Sequence, residues 1–397
     1  MLRFTHLNDW LSWLETLHPK AIDLGLQRVY SVACALDLLG PASQFSHEFS
    51  GVFKCQDTKS TPTVMTVAGT NGKGSCVSVL EQSLTYSSTN SSNTNSTAQA
   101  DAVNFIGSYT SPHLHHFCER IRIDMQPVSE ALVCDAFAAI DTARGDLSLT
   151  YFEFGTLAAL WIFAQKNIPT IILEVGLGGR LDAVNIVDAD IAVVTSIDVD
   201  HEEWLGSDRN IISQEKLGVT RVGRPLIIAE TNLTPALILA ANNDNSLLID
   251  RDFFIRLHGD IQTVVTDEVD HSKEPGNSTQ ANHWQFQYKD LASVLPLPSL
   301  PLPSVAAAFV VLDLLKIMPA QEHLTALMQR LSLKGRFQKA IVANSCVIYD
   351  VAHNPAAAIY LARRLLEEPA NNGGKTFAVM AVMSDKDHDA ILRPLLD

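Results

Sequence analysis

The sequence is short of basic residues, of paired cysteines and of long apolar runs. Its 397 residues include 29 Lys and Arg against 44 Asp and Glu, a formal net charge of −15, which disfavours nucleic acid and anionic membranes as partners. The six cysteines lack the paired spacing of zinc ligands and the density of a disulfide framework, so we expect buried thiols in a reducing compartment. Nowhere do 18 apolar residues follow one another, which excludes a typical membrane-spanning helix. These absences predict a soluble, cytoplasmic protein that acts on a small molecule.

The most informative feature present is a lysine surrounded by three glycines, in the segment Val-Ala-Gly-Thr-Asn-Gly-Lys-Gly-Ser at 67–75, here called the phosphate loop. It joins an apolar run at 62–68 to a helical pattern. Backbone N–H groups of glycine-rich turns, a helix beginning near Ser75 and the charge of Lys73 together form a cradle for phosphate. Val67 stands where the standard P-loop has its first glycine, so this is not the ordinary GTPase or kinase loop. The alternative is a turn without a ligand, which would not need the lysine or the serine hydroxyl.

Apolar, β-branched runs alternate with helical patterns along the chain. The predicted strands after the phosphate loop are 105–109, 170–175, 191–197 and 225–229, and the predicted helices are 7–17, 29–39, 75–86, 130–142 and 155–166. Strands without polar alternation are covered on both faces, which indicates an α/β fold with a mostly parallel sheet. The polar stretch 87–104 carries too little apolar surface to pack and is predicted to be a surface loop. A second polar stretch, 267–283, contains Pro and Gly and is predicted to be a hairpin tip or a loop.

Alternating prolines at 296–303 favour an extended connector between two domains. We therefore predict a first, ATPase-like domain over 1–295 and a smaller doubly wound α/β domain over 304–397. In that second domain the helices are predicted from 304, at 320–331 and at 355–366, and the strands at 347–350 and 376–382. The chain stops soon after the last of these strands, so we expect the second domain to be incomplete.

Three side chains able to bind a metal ion lie at or just beyond the ends of predicted strands, namely Ser111, Glu174 and His201. The carboxyl ends of parallel strands meet in one crevice, at the edge where the phosphate loop emerges. Serine and carboxylate oxygens suit Mg²⁺, so this edge is predicted to bind a nucleotide with its metal. Taken singly, Ser111 carries little information, and His201 is equally well a structural histidine. Lys216, taken alone, has the pattern of a solvated helix lysine.

Together these motifs resemble the folylpolyglutamate synthase and dihydrofolate synthase family, part of the Mur-ligase superfamily of ATP-dependent amide-forming enzymes. The segments that carry the resemblance are 23–28, 69–75, 111–114, 119–120, 149–154, 173–183, 200–201, 215–216, 335–337 and 350–355. One such match can arise by chance, but the whole series in this order does not.

The resemblance implies a site for ATP and magnesium. The implied nucleotide contacts are Gly72, Lys73, Gly74, Ser75, Ser304, Arg336 and Asp350. The implied metal ligands are Ser111, Glu174, His201 and Lys216, and catalytic roles fall on Lys73, Lys216, Arg336 and His353. Two Mg²⁺ ions are implied, and a carbamate on Lys216 would convert that cation into an anionic oxygen ligand. At Ser304 the family usually has an asparagine, so the contact there is expected to be weaker.

The resemblance also implies a binding site for a pterin. The matching positions are Asp23, Leu24, Gly25, Leu26, Thr150, Tyr151, Phe152, Glu153, Leu181, Asp182 and Ala183. Tyr151 and Phe152 suit a flat heterocycle, with two core aromatics as the alternative reading.

The implied reaction joins L-glutamate to dihydropteroate, giving dihydrofolate, and to reduced folates such as tetrahydrofolate, giving folylpolyglutamates. ATP is the co-substrate, an acyl phosphate is the intermediate, and domain closure about the proline-rich connector would assemble the site. We expect a monomer without nucleic-acid or membrane partners. The alternatives are a Mur-type ligase acting on a cell-wall precursor and a catalytically inactive nucleotide-binding protein. The segment 384–387, with Asp385 and Lys386, resembles a family motif to which no role is assigned.

Overall fold

The fold is described from a computed structural model that places residues 3–41, 47–56, 61–91, 105–257, 283–343, 345–367, 375–384 and 386–396. The helices are α1 (Leu7–Leu17), α2 (Gln27–Ala35), α3 (Lys73–Ser91), α4 (Glu130–Arg144), α5 (Tyr151–Gln165), α6 (Glu202–Leu205), α7 (Arg209–Leu217), α8 (Pro235–Ala241), α9 (Leu302–Leu314), α10 (Gln321–Arg330), α11 (Pro355–Leu366) and α12 (His388–Leu396). The strands are β1 (Thr63–Ala68), β2 (Ile106–Tyr109), β3 (Ile121–Ile123), β4 (Gln126–Pro127), β5 (Thr170–Glu174), β6 (Ile191–Val194), β7 (Leu226–Ile228), β8 (Ser246–Leu248), β9 (Phe253–Leu257), β10 (His283–Tyr288), β11 (Leu291–Pro296), β12 (Gln338–Val342) and β13 (Ser345–Tyr349). Phe117–Arg120 and Ala183–Ile186 form short 3₁₀ helices.

Six parallel strands form most of the central sheet, in the order β4-β3-β2-β5-β1-β6-β7-β8 with β3 and β4 antiparallel. The predicted mostly parallel sheet is thus confirmed. The register sets Val67 of β1 beside Glu174 of β5 and Val193 of β6. The phosphate loop, Glu174 and the segment leading to His201 therefore leave the sheet at one edge, as expected for the carboxyl ends of parallel strands.

Helix α5 is apolar on nearly every side because it packs against α1, α2, α4 and β2. It begins with a capping box, in which the Thr150 hydroxyl accepts the Glu153 N–H at 3.2 Å and the Glu153 carboxylate accepts the Thr150 N–H at 2.7 Å. The cap fixes the first turn of α5, so Tyr151 and Phe152 are held on a rigid helix start.

The strands β9, β10 and β11 form a separate antiparallel sheet that was not predicted. Its Trp284 and Phe286 pack against Phe309 of α9, with ring centroids 6.0 and 5.3 Å apart. Helix α9 also packs against α3, so the helix predicted to open the second domain shares the core of the first. The division at 296–303 stays a prediction, and this packing favours a boundary beyond α9.

The C-terminal part contains the antiparallel pair β12 and β13 and the helices α11 and α12, which pack on each other. The strand predicted at 376–382 is wrong, since these residues have no regular secondary structure. A strand needs a neighbour for its backbone N–H and C=O groups, and no such neighbour lies beside them in the described part of the chain. The side chains of Phe377 and Val379 are almost entirely exposed to solvent there.

Most of the remaining predicted elements are present with shifted ends. Helix α3 differs most, because it continues to Ser91 where a loop was predicted from residue 87. The rest of that predicted loop, 92–104, lies outside the described residues, as does all of the second one apart from His283, which begins β10. Cys34 and Cys346 are exposed and not buried as predicted. None of the described helices is both long and apolar enough to cross a membrane.

A buried ion pair joins α3 to β3. Arg122 donates from Nε and Nη2 to the two carboxylate oxygens of Glu81, at 3.0 and 2.7 Å, and the Glu81 side chain is 7% exposed. Replacing Arg122 with Leu leaves this carboxylate buried without its cation, so we expect the free energy of unfolding to fall by about 3 kcal/mol in chemical denaturation. The double variant Arg122→Leu/Glu81→Leu should lose less than the single one. An equal or larger loss in the double variant would contradict the explanation.

Candidate functional site

The phosphate loop passes directly into α3, which begins at Lys73. Gly72 has a φ of +85°, and a Cβ there would lie 2.3 Å from the Ser304 Oγ on α9, so both conformation and space require glycine. The Ser75 hydroxyl is buried and has no hydrogen-bond partner among the described residues. Such a group is costly unless it is satisfied. At a helix N-terminus beside a cavity, it is placed to contact a phosphate or its metal ion.

A half-buried lysine, Lys73, and a buried one, Lys216, meet beneath the loop. Lys73 Nζ donates to the carbonyls of Gly69 and Thr70 at 2.9 and 3.2 Å, and Lys216 Nζ donates to the same Gly69 carbonyl at 3.0 Å. Burial lowers the pKa of Lys73, against the opposing charge of Glu174. Burial and the charge of Lys73 lower the pKa of Lys216 to about 7. Lys216 is therefore not a solvated helix lysine.

Glu174 and Ser111 lie together where β5 and β2 end. The Ser111 N–H donates to Glu174 Oε2 at 3.2 Å, and a Cβ on Gly74 would lie 3.7 Å from Glu174 Oε1, so the carboxylate faces the start of α3. Burial raises the pKa of Glu174, while Lys73 and the Ser111 amide act in the opposite direction. The result is a carboxylate directed at the predicted phosphate site.

His201 lies further along the same sheet edge. It takes a left-handed conformation, with φ +52°, at the start of α6. Burial lowers its pKa, while the adjacent Asp200 carboxylate raises it. In the described part of the chain no three His, Cys, Asp or Glu side chains gather around one point. A metal site here would therefore depend on hydroxyl and phosphate oxygens beside Glu174, and His201 would join it as one ligand.

A cavity of about 560 Å³ opens beside the phosphate loop, a size typical of small-molecule sites. Residues of the phosphate loop, of the neighbouring strand ends and of the C-terminal part line it, and its polar members include Asn71, Ser75, Ser304, Arg336, Asp350 and His353. The cavity thus gathers most of the residues predicted to contact ATP.

Arg336 and Asp350 are charged residues of the C-terminal wall. Burial lowers the pKa of the Arg336 guanidinium, and the charges of Asp350 and Glu174 oppose that effect. Asp350 accepts the Phe337 N–H at 2.7 Å and the Ala352 N–H at 2.8 Å. These bonds fix its carboxylate at the cavity wall.

His353 links the same wall to the other side of the cavity. Its Nε2 lies 3.4 Å from Asp200 Oδ2, and its Nδ1 lies 2.9 Å from the Val351 carbonyl. The bond to Asp200 raises the pKa of His353 in spite of burial.

Two of the segments predicted to bind the pterin meet at Arg28. Its Nη1 lies 2.7 Å from Asp23 Oδ2 and its Nη2 lies 3.0 Å from Glu153 Oε1. A hydrogen bond from Lys20, at 3.0 Å, and the charge of Arg28 lower the pKa of Asp23. The result is a pair of carboxylates held at the start of α2 and α5, where a heterocycle that carries N–H groups could donate to them.

Asp182, in the third segment predicted to bind the pterin, lies beside Gly176 and Phe152. A Cβ on Gly176 would lie 2.7 Å from Phe152 Cζ and 3.3 Å from Asp182 Oδ2, so only glycine lets these side chains flank it. Burial raises the pKa of Asp182 to about 6, against the backbone N–H bonds of Leu177, Val184 and Gly176. These bonds measure 2.9, 3.0 and 2.9 Å. Asp182 thus holds the glycine-rich loop, and a contact from it to substrate stays a prediction.

Tyr151 is the other predicted aromatic contact. The guanidinium carbon of Arg120 lies 5.5 Å from its ring centroid, and Arg120 Nε donates to His113 Nδ1 at 2.9 Å. The other positions predicted to contact the pterin differ in how deeply they are buried. Leu24, Gly25 and Leu181 are half-buried, whereas Leu26 and Ala183 pack in the hydrophobic core.

Sequence reasoning missed Arg28, Asn71 and Asn354 as members of the site. The amides of Asn71 and Asn354 pair with each other, and Asn354 also caps α11. The order Asn354-Pro355 marks a helix start and could have identified the cap, but it gives no information on the distant partner. Lys386, without an assigned role, forms an ion pair across the same interface. Asp385 lies outside the described residues.

The chain is similar to one kind of enzyme along almost its whole length. It is 41% identical over 382 residues to the dihydrofolate synthase/folylpolyglutamate synthase of Escherichia coli (strain K12), covering 96% of this chain and 77% of that protein. E. coli FolC solved in complex with DHPP and ADP matches with a TM-score of 0.78 and 39% identity, covering 98% of this chain and 81% of that chain. A bifunctional folylpolyglutamate synthase/dihydrofolate synthase with Mn, AMPPNP and L-glutamate bound matches with a TM-score of 0.76, 38% identity and the same coverages. A scan against protein-family models found no match.

Proposed function

This chain belongs to the dihydrofolate synthase/folylpolyglutamate synthase family, and we propose that it is an ATP-dependent ligase that joins L-glutamate to dihydropteroate and to reduced folates. The observation that carries the proposal is one cavity lined by the Ser75 hydroxyl of the phosphate loop and by Arg336 and Asp350 of the C-terminal part. That hydroxyl has no hydrogen-bond partner among the residues that the structure describes. A nucleotide in that cavity would present its phosphates to the start of α3.

The chemistry has two steps. A substrate carboxylate attacks the γ-phosphorus of ATP and releases ADP, and the amine of glutamate then attacks the acyl phosphate and releases phosphate as the amide forms. Lys73 and Arg336 would offset charge on the transferring group, and a fixed donor of this kind is worth about 3 kcal/mol. Walls from both parts of the chain would shield the acyl phosphate from water.

The residues present fit a divalent cation. The buried Ser75 Oγ, Ser111 and the Glu174 carboxylate offer the oxygen ligands that Mg²⁺ prefers, and ATP would supply the rest. We assign His201 to the same ion and Lys216, as its carbamate, to a second one. Metal bound here would neutralise phosphate charge and hold the phosphate oxygens in place.

The carbamate on Lys216 is supported by the environment of its amine. Carbamate formation consumes a neutral amine and CO₂, and Lys216 is buried next to Lys73 with a pKa of about 7. None of the described ion pairs includes Lys216, whose Nζ donates to a backbone carbonyl. A carbamate would also place a negative charge beside Lys73.

The pterin would lie with the aromatic rings of Tyr151 and Phe152 on one side and the Asp23–Arg28–Glu153 cluster on the other. Stacking on an aromatic ring and donation to carboxylates are the contacts that an amino-substituted bicyclic heterocycle requires. A muramyl peptide has no such flat group, so this arrangement favours a pteridine.

The decisive test is glutamate ligation by the purified chain. With ATP, Mg²⁺ and glutamate, we expect phosphate release and an amide product when dihydropteroate or tetrahydrofolate is added, and none with a muramyl peptide. Turnover with the peptide alone would favour a cell-wall ligase. ATP binding without turnover of any acceptor would favour an inactive nucleotide-binding protein.

The expected oligomeric state stays a monomer, which size-exclusion chromatography would test.

A further inference from the structure

The phosphate loop and the C-terminal part are joined by a reciprocal amide pair. Asn71 Nδ2 donates to Asn354 Oδ1 and Asn354 Nδ2 donates to Asn71 Oδ1, both at 3.1 Å. Asn354 is 2% exposed, so this contact lies inside the interface. The backbone of Asn71 is fixed separately, because its carbonyl accepts the Thr195 and Ser196 hydroxyls at 2.7 and 2.9 Å. The side chain of this loop residue is therefore available to contact the other part of the chain.

Asp200 receives a second set of contacts across the same interface. Asn354 Nδ2 donates to its Oδ2 at 3.0 Å, and Lys386 Nζ donates to its Oδ1 at 2.7 Å. Both side chains of the ion pair are largely buried, at 6% exposed for Asp200 and 11% for Lys386. Asp200 Oδ1 also accepts the N–H of His201 at 2.8 Å. The C-terminal part thus contacts both the phosphate loop and the segment that carries His201.

We propose that Asn354 and Lys386 are positioning residues that lock the C-terminal part onto the phosphate loop and onto Asp200, so that closing the nucleotide cavity also fixes both segments for catalysis. The inference deepens the proposed ligase function and rests on it for its kinetic consequences. It gives Lys386, in the segment to which the sequence assigned no role, a specific task.

The chemistry of the lock requires an amide and a cation. Asn354 Nδ2 donates to two acceptors, Asn71 Oδ1 and Asp200 Oδ2, while its Oδ1 accepts from Asn71 and from the Ala357 N–H at 3.0 Å. A carboxylate at 354 could still cap α11, because Asp is a good N-cap residue. It could not donate, and it would place a second negative charge beside Asp200. Asn354→Asp therefore removes both donations from this side chain and keeps the helix cap.

The variants Asn354→Asp and Lys386→Met, with Lys375→Met as the control, separate positioning from folding. Lys375 is exposed and lies in the same C-terminal part. We expect the first two to lower kcat about tenfold to a hundredfold, the range for a lost hydrogen bond to a charged group. Their KM for dihydropteroate and their circular dichroism spectra should match those of the control. Asp200→Asn/Asn354→Asp restores one donor opposite one acceptor, so it should recover part of the kcat lost in Asn354→Asp.

A distance measurement tests the proposed contacts between the two parts of the chain without requiring catalytic turnover. The exposed Cys34 and Cys346 lie on opposite sides of the interface, and spin labels on them, in a Cys134→Ala background, report the separation of the two parts. With a non-hydrolysable ATP analogue and Mg²⁺, we expect a narrow distance distribution in the control and a broader, longer one in both lock variants.

Each outcome of the kinetic and distance measurements either supports or overturns the proposed lock. Distance distributions and kcat values equal to those of the control would overturn the lock, and so would a loss of kcat with an unchanged distance distribution. If the unmutated chain ligated glutamate to no acceptor, the proposed function would fail. The spin-label distances, which need only nucleotide, would still support or reject the lock.

Discussion

Replacing Lys73 with Ala is expected to lower kcat for glutamate ligation more than a hundredfold, since a donor worth about 3 kcal/mol at the transferring phosphoryl group corresponds to that factor. The side chain is positioned for this role, because its Nζ lies beneath the phosphate loop on the carbonyls of Gly69 and Thr70 and responds to the charge of Glu174. The rate is measured as phosphate release with ATP, glutamate and dihydropteroate.

The fold should tolerate this change. The Lys73 ammonium contacts backbone carbonyls at a helix start, and removing this half-buried cation also removes its desolvation cost. Lys166→Ala, at an exposed lysine on the C-cap of α5, is the matched control and should keep full activity. A Lys73→Ala variant that kept a tenth of the kcat, or that lost its circular dichroism spectrum, would show that the lysine serves the fold and not the phosphates.

The central sheet could be predicted because its signals are local. Strands such as β1 and β5 are short apolar runs, and parallel strands buried on both faces take that form. The antiparallel sheet of β9, β10 and β11 was missed although β10 alternates strictly, with Trp284, Phe286 and Tyr288 buried and His283 and Gln287 exposed. That period of two was a readable strand signal.

The candidate site was predictable where one motif or one sheet edge determines it. Glycine spacing indicated the phosphate loop, and the strand-end rule indicated that Ser111 and Glu174 would meet, as their 3.2 Å contact illustrates. The pairing of Asn71 with Asn354 could not be predicted, since these residues lie far apart in sequence and no local pattern joins them. The burial of Lys216 was hidden for the same reason, because α7 taken alone has the pattern of an exposed amphipathic helix.

The proline-rich segment shows how tertiary packing overrides a composition signal. Alternating prolines at 296–303 indicated a boundary, and the chain is indeed irregular between β11 and α9. The apolar residues of α9, among them Phe309, are nevertheless buried against α3 and the small antiparallel sheet. If α9 moves with the first domain, the hinge for domain closure lies beyond α9 in the chain. Ser304 and Gly72 then belong to the same domain.

Lys216→Ala is expected to abolish ligation, and a short carboxylate such as acetate or formate should partly restore it. The reason is the proposed carbamate, whose oxygens would be lost with the side chain and replaced by those of the added anion. Lys216→Arg should be equally inactive although it keeps the positive charge, because a guanidinium does not form the carbamate. Full activity in Lys216→Arg, or no rescue at any carboxylate concentration, would support a lysine that acts only by its charge.

The same proposal has a pH dependence whose sign follows from the environment of the amine. Burial and Lys73 lower the pKa of Lys216 to about 7, whereas an ordinary lysine has a pKa of about 10.4. The neutral amine that reacts with CO₂ therefore increases as the pH rises through about 7, more than three units lower than for a solvated lysine. With ¹³C-bicarbonate we expect a carbamate signal in the NMR spectrum at about pH 8 that weakens towards about pH 6 and is absent in Lys216→Arg. A signal that first forms near the pKa of a solvated lysine, or one retained in Lys216→Arg, would assign the carbamate to another amine and leave Lys216 as a buried cation.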